Sequence, residues 1–136
     1  MRLGPNHPCA CHSGLKYKRC CRPIHRGAVP ETPEVLMRAR YSAFAQGLAA
    51  FVRETTAPGG DAFEADAAAW QRSIEAFSAQ TRFVGLEVLA VSEAGPEGQV
   101  EFRATLDQGG HDASFTERSR FVRVGGRWRY HSGTIR

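Results

Sequence analysis

Four cysteines stand within thirteen residues, as Cys9-Ala10-Cys11, an eight-residue interval, and Cys20-Cys21. Disulfides would use them poorly, because bridging neighbours strains the backbone and loops this short constrain little unfolded chain. Four thiolates around one Zn²⁺ fit better: tetrahedral zinc needs only two turns of chain, each presenting two sulfurs. Ser13-Gly14 supplies a tight turn, and a short helical turn through Lys16-Tyr17-Lys18-Arg19 would return the second pair. Such a four-sulfur site is closed, so its metal is structural rather than catalytic. A redox dithiol and inert thiols are the alternatives, and His7 and His12 are spare nitrogen donors.

Charge supports a metal. Residues 1–27 carry Arg2, Lys16, Lys18, Arg19, Arg22 and Arg26 without one Asp or Glu, while the rest of the chain holds 12 basic and 14 acidic residues. Cations around the cysteines offset the excess negative charge of a tetrathiolate site and favour the thiolate form. The same cluster of Lys16, Lys18, Arg19 and Arg22, with Tyr17 between two lysines, could dock an acidic protein surface or RNA. The plainer readings are a solvated charged loop and a tyrosine packed over the metal loop.

The elements that position these groups follow from periodicity. Pro23 to Pro30 reads as a link. Thr32-Pro33-Glu34 predicts a helix start, with Thr as N-cap, Pro at the first position and an acid in the first turn. Met37, Tyr41, Phe44 and Leu48 form its apolar stripe, and Gly47 breaks it. A short second helix is expected over Leu48–Thr55. A third, capped by Asp61 and Glu64, carries Phe63, Ala67, Trp70, Ile74 and Phe77. The period then changes. Phe83–Val91 is an apolar, β-branched run, Gly95–Gly98 a turn, and Val100, Phe102, Ala104 and Leu106 alternate with polar residues as in a half-buried strand. Gly109-Gly110 and Gly125-Gly126 mark further turns around strands Phe115–Val124 and Arg127–Ser132. Three helices followed by four antiparallel strands give an α+β domain over 28–136, behind a small knuckle over 1–27.

The segment from Cys9 to Cys21 resembles the SEC-C motif, a zinc knuckle also found at the tail of the preprotein translocase motor, usually written CPCGSGKKYKKCC. This chain keeps the four ligands, Ser13-Gly14 and Lys16-Tyr17-Lys18, and departs at Ala10, where Pro is usual, and at His12, where Gly is usual. The helix-then-sheet order resembles the curved-sheet cone of the nuclear transport factor two-like superfamily. Over nearly its whole length the chain is similar to the YchJ family, in which a SEC-C knuckle precedes such a cone. The residues carrying this are the knuckle, Thr32 to Phe44, Val100-Glu101-Phe102, Glu117 to Phe121, and Gly126-Arg127-Trp128-Arg129-Tyr130. The resemblance implies fold and metal but no established activity. Some relatives carry a second, C-terminal knuckle, and none is expected over residues 28–136.

Cone domains often hold a pocket. Glu117 and Ser119 share strand parity with Phe115 and Phe121. Turned inward, Glu117 needs a partner, for which Arg40 is a candidate, and a buried carboxylate could serve as a general base. A structural Glu–Arg pair is the plainer alternative. Tyr41, Trp70, Phe77, Trp128 and Tyr130 could line the same pocket or simply fill the core. No Gly-rich phosphate loop, nucleotide fingerprint or catalytic metal motif occurs, so an enzyme is the less favoured expectation. The leading expectation is a zinc-bearing interaction module whose knuckle docks an acidic protein surface or RNA, as on translation or export machinery. The alternative is a small-molecule binder or enzyme using the cone. With no membrane-length apolar run and no signal core, a soluble, cytoplasmic protein is expected.

Overall fold

Alternation in the second half of the sequence builds a curved, open antiparallel sheet. The computed structural model describes residues 2–136. Strand β1 (Arg82–Ala94) pairs with β2 (Glu97–Gln108), β2 with β4 (Phe115–Val124), and β4 with β5 (Arg127–Ile135); the two-residue β3 (His111–Asp112) folds back on the end of β2. Along β2 the side chains of Val100, Phe102, Ala104 and Leu106 are buried and those between them are exposed or half-buried, as a period of two requires. Irregular pairing at Phe83/Gly85, Val88/Ala90 and Arg120/Phe121 bends the sheet, because an extra residue on one strand kinks it locally.

Helices close the concave side. Helix α2 (Pro33–Gln46) starts at Thr32, whose side chain accepts the Val35 amide, with Pro33 at its first position. It ends at Gly47, whose φ of 72° lies in the left-handed region that glycine enters at little cost. Helix α3 (Ala49–Glu54) follows, and then α4 (Ala67–Gln80). The α4 cap differs from the sequence expectation: Asp66 accepts the Ala69 amide, while Asp61, Phe63 and Glu64 lie in the preceding loop. Phe63 instead meets Trp70 edge-on, ring centroids 5.3 Å apart, an apolar clasp at the helix start. The loop is stitched to β5 by Ala57 N–H to Tyr130 O and Tyr130 N–H to Thr55 O, both 2.8 Å, and by Asp61 N–H to His131 O.

The N-terminal segment does not swing free. A 3-10 turn (Tyr17–Arg19) leads into helix α1 (Cys21–His25), so the expected link at Pro23 begins inside a helix. Cys9, Cys11, Tyr17 and Cys21 are buried in one core cluster with Leu36, Met37, Ala39 and Tyr41 of α2 and with Phe121 and Trp128 of the sheet. Helix α2 is therefore covered on two sides. Met37, Arg40, Tyr41 and Phe44 face the cone, whereas Arg38, Ser42 and Gln46 each make one bond to the knuckle. No helix among the described residues is long and apolar enough to cross a membrane.

Candidate metal centre and cone cavity

Ser13-Gly14 and the turn at Tyr17–Arg19 bring the cysteines back on themselves. The ligand atoms of Cys9, Cys11, Cys20 and Cys21 all lie within 4.8 Å of one another. Cys11 Sγ is 3.5 Å from Cys20 Sγ, which is 3.9 Å from Cys21 Sγ. Sulfurs about 2.3 Å from a central Zn²⁺ would stand about 3.8 Å apart in a tetrahedron, so the cage has the right size. All four cysteines are free, and the separations far exceed a disulfide bond of about 2.05 Å.

The surroundings suit thiolates. Ser13 Oγ lies 3.1 Å from Cys20 Sγ and Ser42 Oγ 3.9 Å from Cys9 Sγ, while Arg38 donates to the Cys11 carbonyl at 3.2 Å. Hydrogen bonds from Cys21 and Cys9 hold the Cys11 thiol far below the usual thiol range. Hydrogen bonds to Cys11 and Cys9 push Cys21 far up, and burial pushes Cys20 to about 11. One thiolate forms readily here, and its neighbours resist a second charge. A dication at the centre removes that resistance, because it compensates all four sulfurs at once.

Both spare histidines turn away. His12 has φ 60°, a conformation usually left to glycine. Its Nε2 lies 3.1 Å from the Phe83 carbonyl of β1 and its ring meets Tyr41 edge-on at 5.9 Å. Exposed His7 bonds its neighbour's carbonyl. Behind the cage, His25 Nε2–H donates to Ala39 O at 2.7 Å, which leaves Nδ1 to accept the Tyr17 hydroxyl at 2.5 Å. Tyr17 is thus only 6 % exposed, which does not leave its ring free to stack on a docking face; through His25 its hydroxyl is tied to Ala39 of α2 instead. Lys16, Lys18 and Arg19 remain exposed and Arg22 is half-buried.

Inside the cone lies a cavity of about 310 Å³, and its wall includes Arg40, Tyr41, Trp70, Glu117 and Tyr130 together with Phe77, Phe83 and Ala104. Polar groups gather at one place on that wall. Glu117 Oε2 accepts the hydroxyls of Ser119 at 2.5 Å and Tyr130 at 2.9 Å. The Arg40 guanidinium lies over the Tyr130 ring, 4.6 Å from its centroid. The expected direct Arg40–Glu117 pair is corrected here: Tyr130 stands between them, giving its face to the cation and its hydroxyl to the carboxylate. Arg40 Nη1 instead donates to Val52 O, Thr55 Oγ1 and Thr56 Oγ1 at 2.8–3.0 Å, tying α2 to the end of α3. Burial pulls the Arg40 pKa down to about 10, and burial, followed by the neighbouring Glu117 charge, raises that of Tyr130. Tyr41 donates to Gly85 O at 2.9 Å, its own pKa raised by burial. Gly133 on β5 makes room for the pair, since a side chain there would strike the Glu117 carboxylate and the Tyr130 hydroxyl.

Periodicity alone missed the residues that fasten the metal loop to α2. Leu3 N–H donates to Gln46 Oε1 at 2.9 Å, and Gln46 Nε2 donates to Ser42 Oγ at 3.1 Å. Arg38, Ser42 and Gln46 recur every four residues, a helical stripe concealed by being polar.

Comparison with known proteins agrees with this geometry. The family described as "YchJ, middle NTF2-like domain" matches residues 32–133, and the SEC-C motif matches residues 6–23. A UPF0225 protein of Xanthomonas oryzae pv. oryzae is 40% identical over 132 residues, 93% of each chain. The solution structure of a SEC-C motif containing protein from Rhodopseudomonas palustris is 37% identical, with TM-score 0.80, over 93% of this chain and 96% of that one. The crystal structure of another from Psychrobacter arcticus is 28% identical, with TM-score 0.76, over 95% and 81%.

Proposed function

Because this chain belongs to the UPF0225 proteins, in which a SEC-C motif precedes a YchJ-type NTF2-like domain, we propose that it binds a small, largely aromatic molecule inside the cone while a structural Zn²⁺ clamps the knuckle to α2. The observation that carries this reading is the cavity. Its volume of about 310 Å³ falls at the lower end of the range of small-ligand sites, about 300–1,000 Å³, and its apolar walls with a few convergent polar groups follow their usual pattern. A core packed merely for stability would fill such a space with side chains.

The metal's part is mechanical. Cys9, Cys11, Cys20 and Cys21 would hold it with no position left for water, so it supplies rigidity and no Lewis-acid step. Four reduced thiols and a zinc ion belong in a reducing compartment, and a cytoplasmic location is part of this proposal.

The test uses benzene as a probe, followed by NMR shifts of Phe77, Phe83 and Ala104. Saturable shifts at these residues are expected, and Ala104→Leu, which places bulk in the cavity, should abolish them without loss of fold. An absence of saturable shifts, or shifts indifferent to Ala104→Leu, would overturn the cavity reading. Elemental analysis should give one zinc per chain; another metal, or none in folded protein, would overturn the clamp.

A second reading, docking of the knuckle on an acidic protein surface or RNA, is favoured by exposed Lys16, Lys18 and Arg19 beside Leu15, which is 53 % exposed. Burial of Tyr17 weakens the RNA form by removing its stacking group. Charge reversal at Lys16, Lys18 and Arg19 should abolish a salt-sensitive interaction, and binding that survives reversal would reject docking.

A further inference from the structure

The polar end of the cavity restricts what the cone holds. Arg40 and Glu117 are the two charged residues on its wall. None of the four ion pairs among the described residues includes either. Arg40 is only 8 % exposed, and its hydrogen bonds all leave from Nη1. Nε and Nη2 keep three N–H donors without a protein acceptor among the described residues. Glu117 spends Oε2 on Ser119 and Tyr130, and Oε1 has no donor among the described residues. An acceptor placed against this guanidinium from within the cavity gains charge-assisted hydrogen bonds, which are stronger than neutral ones.

Charge decides between candidate head groups. One cation and one anion already balance across the Tyr130 ring. A carboxylate ligand would satisfy Arg40 but leave the site with net negative charge beside Glu117. An ammonium would satisfy Glu117 and face Arg40. In a poorly solvated cavity either excess is penalised. A neutral group that accepts and donates along one edge meets both needs: its carbonyl takes Arg40 N–H bonds, and its N–H gives to Glu117 Oε1. Resting on the cavity reading above, we propose that the cone binds a neutral aromatic amide or lactam, its ring among Trp70, Phe77 and Phe83 and its amide edge spanning Arg40 and Glu117. A volume of about 310 Å³ admits a one- or two-ring molecule.

The experiment compares three probes of one shape, 3-phenylpropanamide, 3-phenylpropanoate and 3-phenylpropylamine, by NMR titration or calorimetry at neutral pH. The amide should bind at least tenfold tighter than either charged probe. Glu117→Gln should move the preference to the acid, and Arg40→Met should move it to the amine. Arg40 also ties α2 to α3, so Arg40→Met is read only alongside its thermal melt, and Glu117→Gln carries the test if that variant does not fold. Acid or amine binding as tightly as the amide, or a preference unmoved by Glu117→Gln, would overturn this inference and leave the cavity reading intact wherever benzene still binds. Failure of benzene and all three probes would overturn both.

Discussion

The knuckle and the cone are ordered by opposite means. The cone is held by repetition: Val100, Phe102, Ala104 and Leu106 bury alternate side chains against α2, and Phe121 and Trp128 are fully buried beneath them. The knuckle has too few apolar residues for a core and depends on donor atoms, with four sulfurs within 4.8 Å, single hydrogen bonds that Leu3, His12 and His25 make to the rest of the fold, and one that the Cys11 carbonyl accepts from Arg38. Segments below about 40 residues generally need a metal or a disulfide to persist. Repetition tolerates many substitutions, whereas coordination tolerates almost none at its ligands and many between them.

The sharpest way to break this contrast is to remove the metal. Cys20→Ser/Cys21→Ser should lose zinc and cost on the order of 5 kcal/mol, a fraction of a structural zinc's binding energy. Hydrogen exchange should show lost protection over 5–25 and retained protection in β2 and β4. A sheet that melts together with the knuckle would show that the two regions are one cooperative unit. Next, Leu36→Ala, at a fully buried position where both regions meet, should cost about 3 kcal/mol by chemical denaturation, in the presence or absence of chelator. Gly133→Ala should cost about 2 kcal/mol by crowding the Glu117–Tyr130 pair and should weaken probe binding without altering zinc content.

A smaller effect comes from pH. Burial lowers the His25 pKa from its ordinary 6.5, so on acidification the unfolded chain takes up that proton first. This contribution is fully present above about pH 6.5 and is lost as pH falls through the folded-state value. His25→Gln should flatten that part of the stability–pH curve measured by urea titration. The least change is expected for His12→Gly. Relief of a left-handed backbone, about 1 kcal/mol, offsets a lost hydrogen bond of similar size, so the melting temperature should stay within a few degrees.

Legibility in the sequence follows the same divide. The sulfur cluster was readable because ligand spacing is written along the chain, and so were the Thr32-Pro33 helix start and the β2 alternation, both local rules. Asp66, rather than the expected pair of Asp61 and Glu64, caps α4, because either aspartate satisfies an N-cap's chemistry and only the path of the loop chooses. The polar stripe of Arg38, Ser42 and Gln46 escaped an apolar search, since its partners are backbone groups and sulfur 27 to 43 residues away. Tyr17 sits among lysines in sequence but under the cage in space; its hydroxyl needed His25, a partner that periodicity does not supply. Arg40 faces Tyr130 rather than Glu117 because β4 and β5 place both aromatic face and carboxylate on one wall, a tertiary fact.

The fastening of the knuckle to α2 also sets an order of events in time. Apart from His12 on Phe83, the knuckle's hydrogen-bond anchors lie at Ala39, Ser42, Gln46 and the Arg38 side chain, so these bonds can form within the first third of the chain as it leaves the ribosome. The cavity's polar end waits for residues 117 to 133, almost the last to emerge. Short-range contacts form fast and long-range sheet pairings slowly. A metal held by the four cysteines, as proposed above, would then be in place to hold α2 while the sheet that completes the cavity is still being made. Refolding started from zinc-loaded chain should reach the native state faster than refolding into which zinc is added late.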